Sequence, residues 1–409
     1  MRTPLGLVLV ASSLALPHAA HAQAASANAT PVLEPLSAEE FAALRPLADG
    51  GGAILVRDPA AGVRARITVL VVAHAPRQTV YDVISHVEDY PQFFRSVDRM
   101  EVTSRHANHI AFRLHTSVSI FSVDTVATLH MVNDHRIDGQ LIESQLGPGG
   151  LRWDLYQGDG DVTYLGYSTW DDPTAGNWFL RQIANASPDA IAGMEMSYDL
   201  MLALMTAHRA ETLAHAQGLA TPQRLGVPAG PIEAPTDGPW LDLVRDRIIA
   251  GVRMNPQGET VQTFTASHVA SPIGAACARA EDVAHYNQWW RGIRELTLGA
   301  RTDDTQRFHT RIESALFRTQ GDQDRVLERG DQHAVVTLRG VNGDYVDDVQ
   351  RWDFFARPSG GTTVVLSGGG DFIRTGMIMR ALVENVPWML PGYSAAWKMV
   401  WMRQLLRGL

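Results

Sequence analysis

The sequence predicts an α+β protein built from two tandem copies of one unit, each an antiparallel sheet followed by a long helix. Three observations predict it. Residues 88–95 read Glu88-Asp89-Tyr90-Pro91-Gln92-Phe93-Phe94-Arg95 and residues 284–291 read Ala284-His285-Tyr286-Asn287-Gln288-Trp289-Trp290-Arg291, so a Tyr-x-Gln-aromatic-aromatic-Arg core recurs 196 positions later. Period-two apolar runs separated by short turn signals fill residues 97–170, which gives sequential hairpins and therefore antiparallel pairing. The series Met194, Tyr198, Met201, Leu202, Met205 then recurs at helical spacing.

Bulk composition agrees. A chain of 409 residues exceeds one ordinary core, and 45% hydrophobic with 19% charged residues describes a globular protein. The formal charge is −9 and Lys and Arg form no stripe, which disfavours nucleic acid as a partner. The single Cys277 has no partner for an internal disulfide and reads as a small buried hydrophobe.

Taken in order, residues 1–22 carry Arg2, an apolar run from Leu5 to Leu16 and a small-x-small end at Ala20-His21-Ala22, the pattern of a cleaved signal peptide. The run is too short to cross a bilayer, so the chain is expected to be exported, periplasmic or secreted. Residues 23–63 form a leader with one short helix, capped by Ser37 and Glu40 and ended by Gly50-Gly51-Gly52. The first unit spans 64–217. It has a β-branched strand near 64–73, a helix after Pro76, a second short helix carrying Tyr90 to Phe94, the hairpins, and a helix starting at Ser187-Pro188-Asp189. A Pro/Gly-rich linker with a short helix covers 218–254, and the second unit, 255–409, repeats the order. Pro387 and Pro391 are expected to break its last helical region and leave Trp388-Met389-Leu390 on a bend.

Two stretches carry a family resemblance. Tyr90-Pro91-Gln92-Phe93 resembles the Tyr-Pro-x-Phe stretch of the coenzyme Q-binding and polyketide cyclase/dehydrase branch of the START-like (SRPBCC) superfamily, and Trp153-Asp154-Leu155 with Trp352-Asp353-Phe354 resembles its penultimate strand. The second copy departs from the pattern, with Asn287 in place of the proline and Trp289-Trp290 in place of two phenylalanines. The resemblance implies tandem helix-grip domains, in each of which a curved sheet wraps around the long C-terminal helix and leaves an apolar pocket for a lipid, quinone, sterol-like molecule or polyketide.

On that architecture the candidate ligand-binding residues are Tyr90, Phe93, Phe94, Tyr286, Trp289 and Trp290 at the pocket mouth, and Trp153, Leu155, Trp352 and Phe354 on inward strand faces. Met194, Tyr198 and Trp388 join them from the helices. The same side chains also suit a plain core, because core and apolar pocket share one lining chemistry. Nothing calls for a metal or a cofactor. The histidines lack ligand spacing, and no Gly-x-Ser-x-Gly elbow or phosphate loop is present. The carboxylates open to catalysis are Glu195, Glu384, Asp154 and Asp353, the last two pointing away from the Trp face. The chain is therefore expected to be an exported binding or transfer protein for a hydrophobic small molecule. A transient contact with a membrane could run through its nearly all-apolar C-terminal helix. The alternative is an aromatase/cyclase or dehydratase-type enzyme acting on a polyketide-like or aromatic substrate.

Overall fold

The computed structural model describes residues 33–57, 66–118, 121–178, 181, 188–216, 238–255, 260–290, 292–313, 318–346, 348–369, 388–407 and 409. The signal peptide expected at 1–22, most of the linker, Arg291, Met377, Met379, Glu384, Asn385 and Pro387 lie outside them. After a helix α1 (Ala38–Asp49), the first copy comprises β1 (Gly51–Arg57), β2 (Arg66–Ala73), α2 (Arg77–Ser85), α3 (Tyr90–Phe93), β3 (Val97–His106), β4 (His109–Val118), β5 (Phe121–Asn133), β6 (Arg136–Ser144), β7 (Gly149–Gln157), β8 (Thr163–Asp171) and the long α4 (Pro188–Ala216). A short α5 (Trp240–Leu243) precedes the second: β9 (Ile248–Met254), β10 (Thr260–Val269), α6 (Ile273–Glu281), α7 (Tyr286–Trp289), β11 (Ile293–Arg301), β12 (Thr305–Glu313), β13 (Arg318–Arg329), β14 (His333–Gly340), β15 (Val349–Ala356), β16 (Thr362–Gly369) and α8 (Met389–Leu406). The tandem α+β plan read from the sequence is thus the plan of the molecule.

The two copies share one sheet. Its sixteen strands run β11-β12-β13-β14-β15-β16-β10-β9-β1-β2-β8-β7-β6-β5-β4-β3, all neighbours antiparallel. The order reads the same from both ends, so the copies are related by a pseudo-twofold axis between β1 and β9, where Ala53 faces Gly251 and Ile54 faces Ala250. Both central strands lie in stretches expected as leader and linker. Gly50 caps α1 as expected, but Gly51 and Gly52 already belong to β1. The continuous apolar runs Ala53-Ile54-Leu55-Val56 and Ile248-Ile249-Ala250 suit strands covered on both faces. One face meets α4 and α8; the other meets α1 and α5, where Leu44, Leu55, Trp240, Ile249 and Phe264 form a second core. The expected capping box is present: the Ser37 hydroxyl accepts from the Glu40 N–H, and the Glu40 carboxylate from that of Ser37. Glu40 also takes Arg57 and Arg247, one cation from each copy.

The long helices cross each other beneath the central strands. Gly392 lies against Ser197 and Gly193 against Ala396; with a spacing of 199, one contact is the pseudosymmetric image of the other. Small residues permit the approach. A Cβ on Gly392 would stand 2.7 Å from Ser197 Cα and 2.9 Å from Ser197 O. Pro391 sits in the first turn of α8, where no intrahelical N–H is lost, so Met389 and Leu390 are helical rather than on the expected bend. The helix is apolar nearly all round and none of its residues is exposed, with Met389, Tyr393 and Trp397 partly covered. Gly392→Ala should therefore destabilise the protein by about 1–3 kcal/mol through overpacking, against the ~1 kcal/mol that helix propensity alone would add. Urea unfolding measures the sign, and a stabilised variant would refute the close crossing.

Candidate functional site

The repeated tyrosine is first a structural tie. Tyr90 donates its hydroxyl to the Ile84 carbonyl at 2.7 Å, and Tyr286 donates to the corresponding Ala280 carbonyl, each fastening a short helix to the end of the preceding one. Around Tyr90 the rings of Phe93 and Phe94 meet edge-on, and Phe94 is buried with Val97, Met201 and Met205. In the second copy Tyr286 touches Trp289 and Phe308, while Trp290 packs on Trp401 at 4.1 Å and on Trp397 at 5.5 Å. Trp388, at the start of α8, crosses to the first copy's cluster, where it meets the His208 ring at 5.0 Å, with Tyr198 in the same group. These aromatics therefore form two groups, one per copy.

Strand alternation turns Trp153 and Leu155 inward, with Trp153 against Tyr167 at 4.2 Å, and likewise Trp352 and Phe354, which share a core with Trp401 and Met402. Asp154 and Asp353 point to the other face, as the period requires. Asp154 is paired with Arg152 at 2.6 Å, and Asp353 with Arg351 and His333, so neither serves the interior. Met194 is only half-covered and joins no aromatic group described here.

The two inner faces are lined differently. Across the first copy, one row of facing residues reads Ile110, Leu129, Gly139, Leu151, Thr169, Ile67. The equivalent row of the second reads Gln306, Arg325, Leu338, Gln350, Gly368, Thr263. Apolar positions have become polar while the backbone stays the same. Arg325 is 3% exposed, and Gln323, one pleat away on the same face, is 2% exposed. Lys398 projects from α8 onto this face, donating to Thr263 Oγ1 at 2.8 Å and Ser394 Oγ at 3.2 Å. Burial pulls its ammonium down to about 8, against the attraction of Asp348. Burial pushes Asp348 up to about 6, opposed by a hydrogen bond from Gln350 and by the Lys398 charge.

The first copy answers with acids. Asp199, the counterpart of Lys398, accepts from Thr169 Oγ1 at 2.5 Å, and burial raises its carboxyl well above the usual range. Glu195, one turn earlier, is raised well above its range by burial and then by Asp171, with which it shares a hydrogen bond. Of these groups the sequence reading had singled out only Glu195. Lys398 is legible as one of two charges, with Arg403, in an otherwise uncharged helix, Arg325 as a charge on the inward period of β13, and Asp199 from its four-residue spacing to Glu195. Apart from both interiors, an open cleft of about 810 Å³ lies between Asp189, residues 244–248 and 267–269, and Met402, Arg403, Leu406 and Arg407.

Comparison with known proteins places this geometry. Residues 73–207 match the family described as polyketide cyclase / dehydrase and lipid transport. The first copy is a START-like domain of that family. The second copy repeats it strand for strand, so the START-like unit occurs twice. No curated protein matches the chain. Among solved structures, the di-domain ARO/CYC StfQ from the steffimycin biosynthetic pathway is 13% identical over 83% of this chain and 96% of its own, with a TM-score of 0.27. The STAR-related lipid transfer protein from Xanthomonas axonopodis is 15% identical over 36% of this chain and 90% of its own (TM-score 0.29), and human STARD10 is 13% identical over 38% and 72% (TM-score 0.29).

The Lys398–Asp348 attraction sets a pH signature. Asp348 titrates higher folded than unfolded, so its contribution to stability is complete below its unfolded pKa and is lost as pH rises through about 6. Lys398→Met removes the cation that favours ionised Asp348. Carboxyl-detected NMR should find Asp348 titrating above about 6 in the variant, with the acid-side gain in stability displaced to higher pH. An unchanged or lower Asp348 pKa would break the coupling.

Proposed function

We propose that the protein is an exported binding or transfer protein for an apolar small molecule, a lipid, quinone or sterol-like compound, held between the sheet and the long helices. The observation that carries this reading is the inner face of the first copy. Ile110, Leu129, Leu151, Trp153, Leu155 and Tyr167 present an apolar surface to a helix rich in methionine, whose thioethers repack readily around a guest. Affinity would come from desolvation, at about 25 cal/mol per Å² of apolar area. The match of residues 73–207 to a family described as polyketide cyclase / dehydrase and lipid transport supports the same assignment. Export rests on the leader pattern of residues 1–22, and it suits a carrier of water-insoluble cargo in an aqueous compartment.

One observation favours a second reading, an aromatase/cyclase or dehydratase-type enzyme. Asp199 is a buried acid bonded to Thr169, half-covered Glu195 shares a hydrogen bond with Asp171, and both carboxyls are raised well above the usual range, the direction a general acid requires. Turnover of a polyketide-like substrate abolished by Asp199→Asn, with the fold intact, would select this reading.

The carrier reading is tested on the full chain with a fluorescent apolar probe and with native mass spectrometry of the exported form. Stoichiometric uptake and a co-purified apolar molecule are expected, and Trp153→Leu should weaken uptake about tenfold, roughly 1.4 kcal/mol. No probe uptake together with no bound molecule would end it.

A further inference from the structure

The second copy's interior holds more hydrogen-bond donors than acceptors. Arg325 Nε and Nη1, Gln323 Nε2 and Trp401 Nε1 are all buried and meet no acceptor among the described residues, and they outnumber the one unmet acceptor of the inner row, Gln350 Oε1, whose amide nitrogen donates to Asp348. The amide of Gln306, facing Arg325 across the strands, is turned to the backbone carbonyls of Gly299, Ala300 and Arg307 instead. Unmet buried donors are rare because each forfeits its hydration, and an unpaired buried guanidinium forfeits most.

These residues are not required by the fold. In the first copy the positions of Gln323, Arg325, Gln350 and Trp401 hold Ala127, Leu129, Leu151 and Leu202, and the same strands and helix form around them. The charges also leave a remainder. Lys398 and Asp348 offset each other, whereas Arg325 has no carboxylate partner among the described residues.

We infer that the second copy takes an amphiphile bearing a single carboxylate, its head seated on Arg325 and Gln323 and its apolar chain lying against Phe308, Leu338 and Trp352 beneath α8. This rests on reading the interiors as ligand sites, and it divides them: the first copy accepts neutral apolar cargo, the second an acid. A carboxylate supplies acceptors and one negative charge, the complement of the unmet donors on Arg325 and Gln323 and of the guanidinium charge. A neutral alcohol or quinone would satisfy the amide but leave the guanidinium charge uncompensated.

The test compares hexadecanoate with hexadecanol, equal in chain length, on the full chain at pH 7 by titration calorimetry. Wild type should bind the acid at least tenfold more tightly than the alcohol. Arg325→Leu, which installs the residue of the first copy, should lose that preference while keeping its affinity for hexadecanol. The unliganded variant should also melt higher, because an unpaired buried charge has been removed. Equal binding of acid and alcohol by wild type, or an acid preference that survives Arg325→Leu, would overturn this inference while leaving the apolar-carrier reading standing. Failure of both ligands and of the neutral probe would overturn both.

Discussion

The pairing of β1 with β9 is the constraint from which the rest of the architecture follows. Each copy alone would present a sheet edge at its first strand, an open row of backbone donors and acceptors that invites pairing with another chain. Setting the two edges against each other satisfies both rows at once and fixes the pseudo-twofold axis between Ala53–Ile54 and Ala250–Gly251. The helices must then cross on the same axis. That is why Gly193, Ser197, Gly392 and Ala396 stand at the crossing, where larger side chains would hold α4 and α8 away from the strands they cover. The outer edges, β3 and β11, are left to water, and both carry charged residues and register shifts that spoil a flat template.

A symmetric scaffold does not enforce symmetric chemistry. Trp388 against His208 and Asp189 against Arg407 occupy equivalent places across the axis, yet one is an aromatic contact and the other an ion pair of 2.9 Å. Asp199 and Lys398 are equivalent as well, an acid in one interior and a base in the other. The two copies share one geometry, and their inner faces are lined differently. Residues that tie the fold, such as Tyr90 and Tyr286 with their carbonyl partners, are kept, as are the inward Trp153 and Trp352, whereas the row from Ile110 to Ile67 is replaced by one from Gln306 to Thr263.

What was legible in the sequence was what periodicity encodes. The repeat around Tyr90 and Tyr286 follows from a recurrence 196 positions apart, while the inward pairs Trp153–Leu155 and Trp352–Phe354, the outward Asp154 and Asp353, and the capping box at Ser37 and Glu40 follow from spacings of one to three residues, and the structure has all of them. β1 and β9 escaped because strands buried on both faces show no alternation, and because Gly51 and Gly52 resemble a helix stop. The polar row escaped for a different reason. Gln306 and Thr310 were in register with Ile110 and Leu114, but their meaning depends on Arg325, Gln350 and Thr263 lying beside them, and only strand pairing joins residues so far apart in the chain.

The distribution of buried charge implies a division of labour in stability. The first copy's inner row is apolar except for Thr169, so its strands gain from burial nearly everywhere along that row. The second copy buries Arg325, Lys398, Gln323 and Gln350, each of which must recover the hydration it gave up. The first copy has its own buried acid in Asp199, and the two interiors are held together through β9 and the helix crossing. The shared sheet thus makes the two copies one hydrogen-bonded unit, a physical reason for them to remain on one chain.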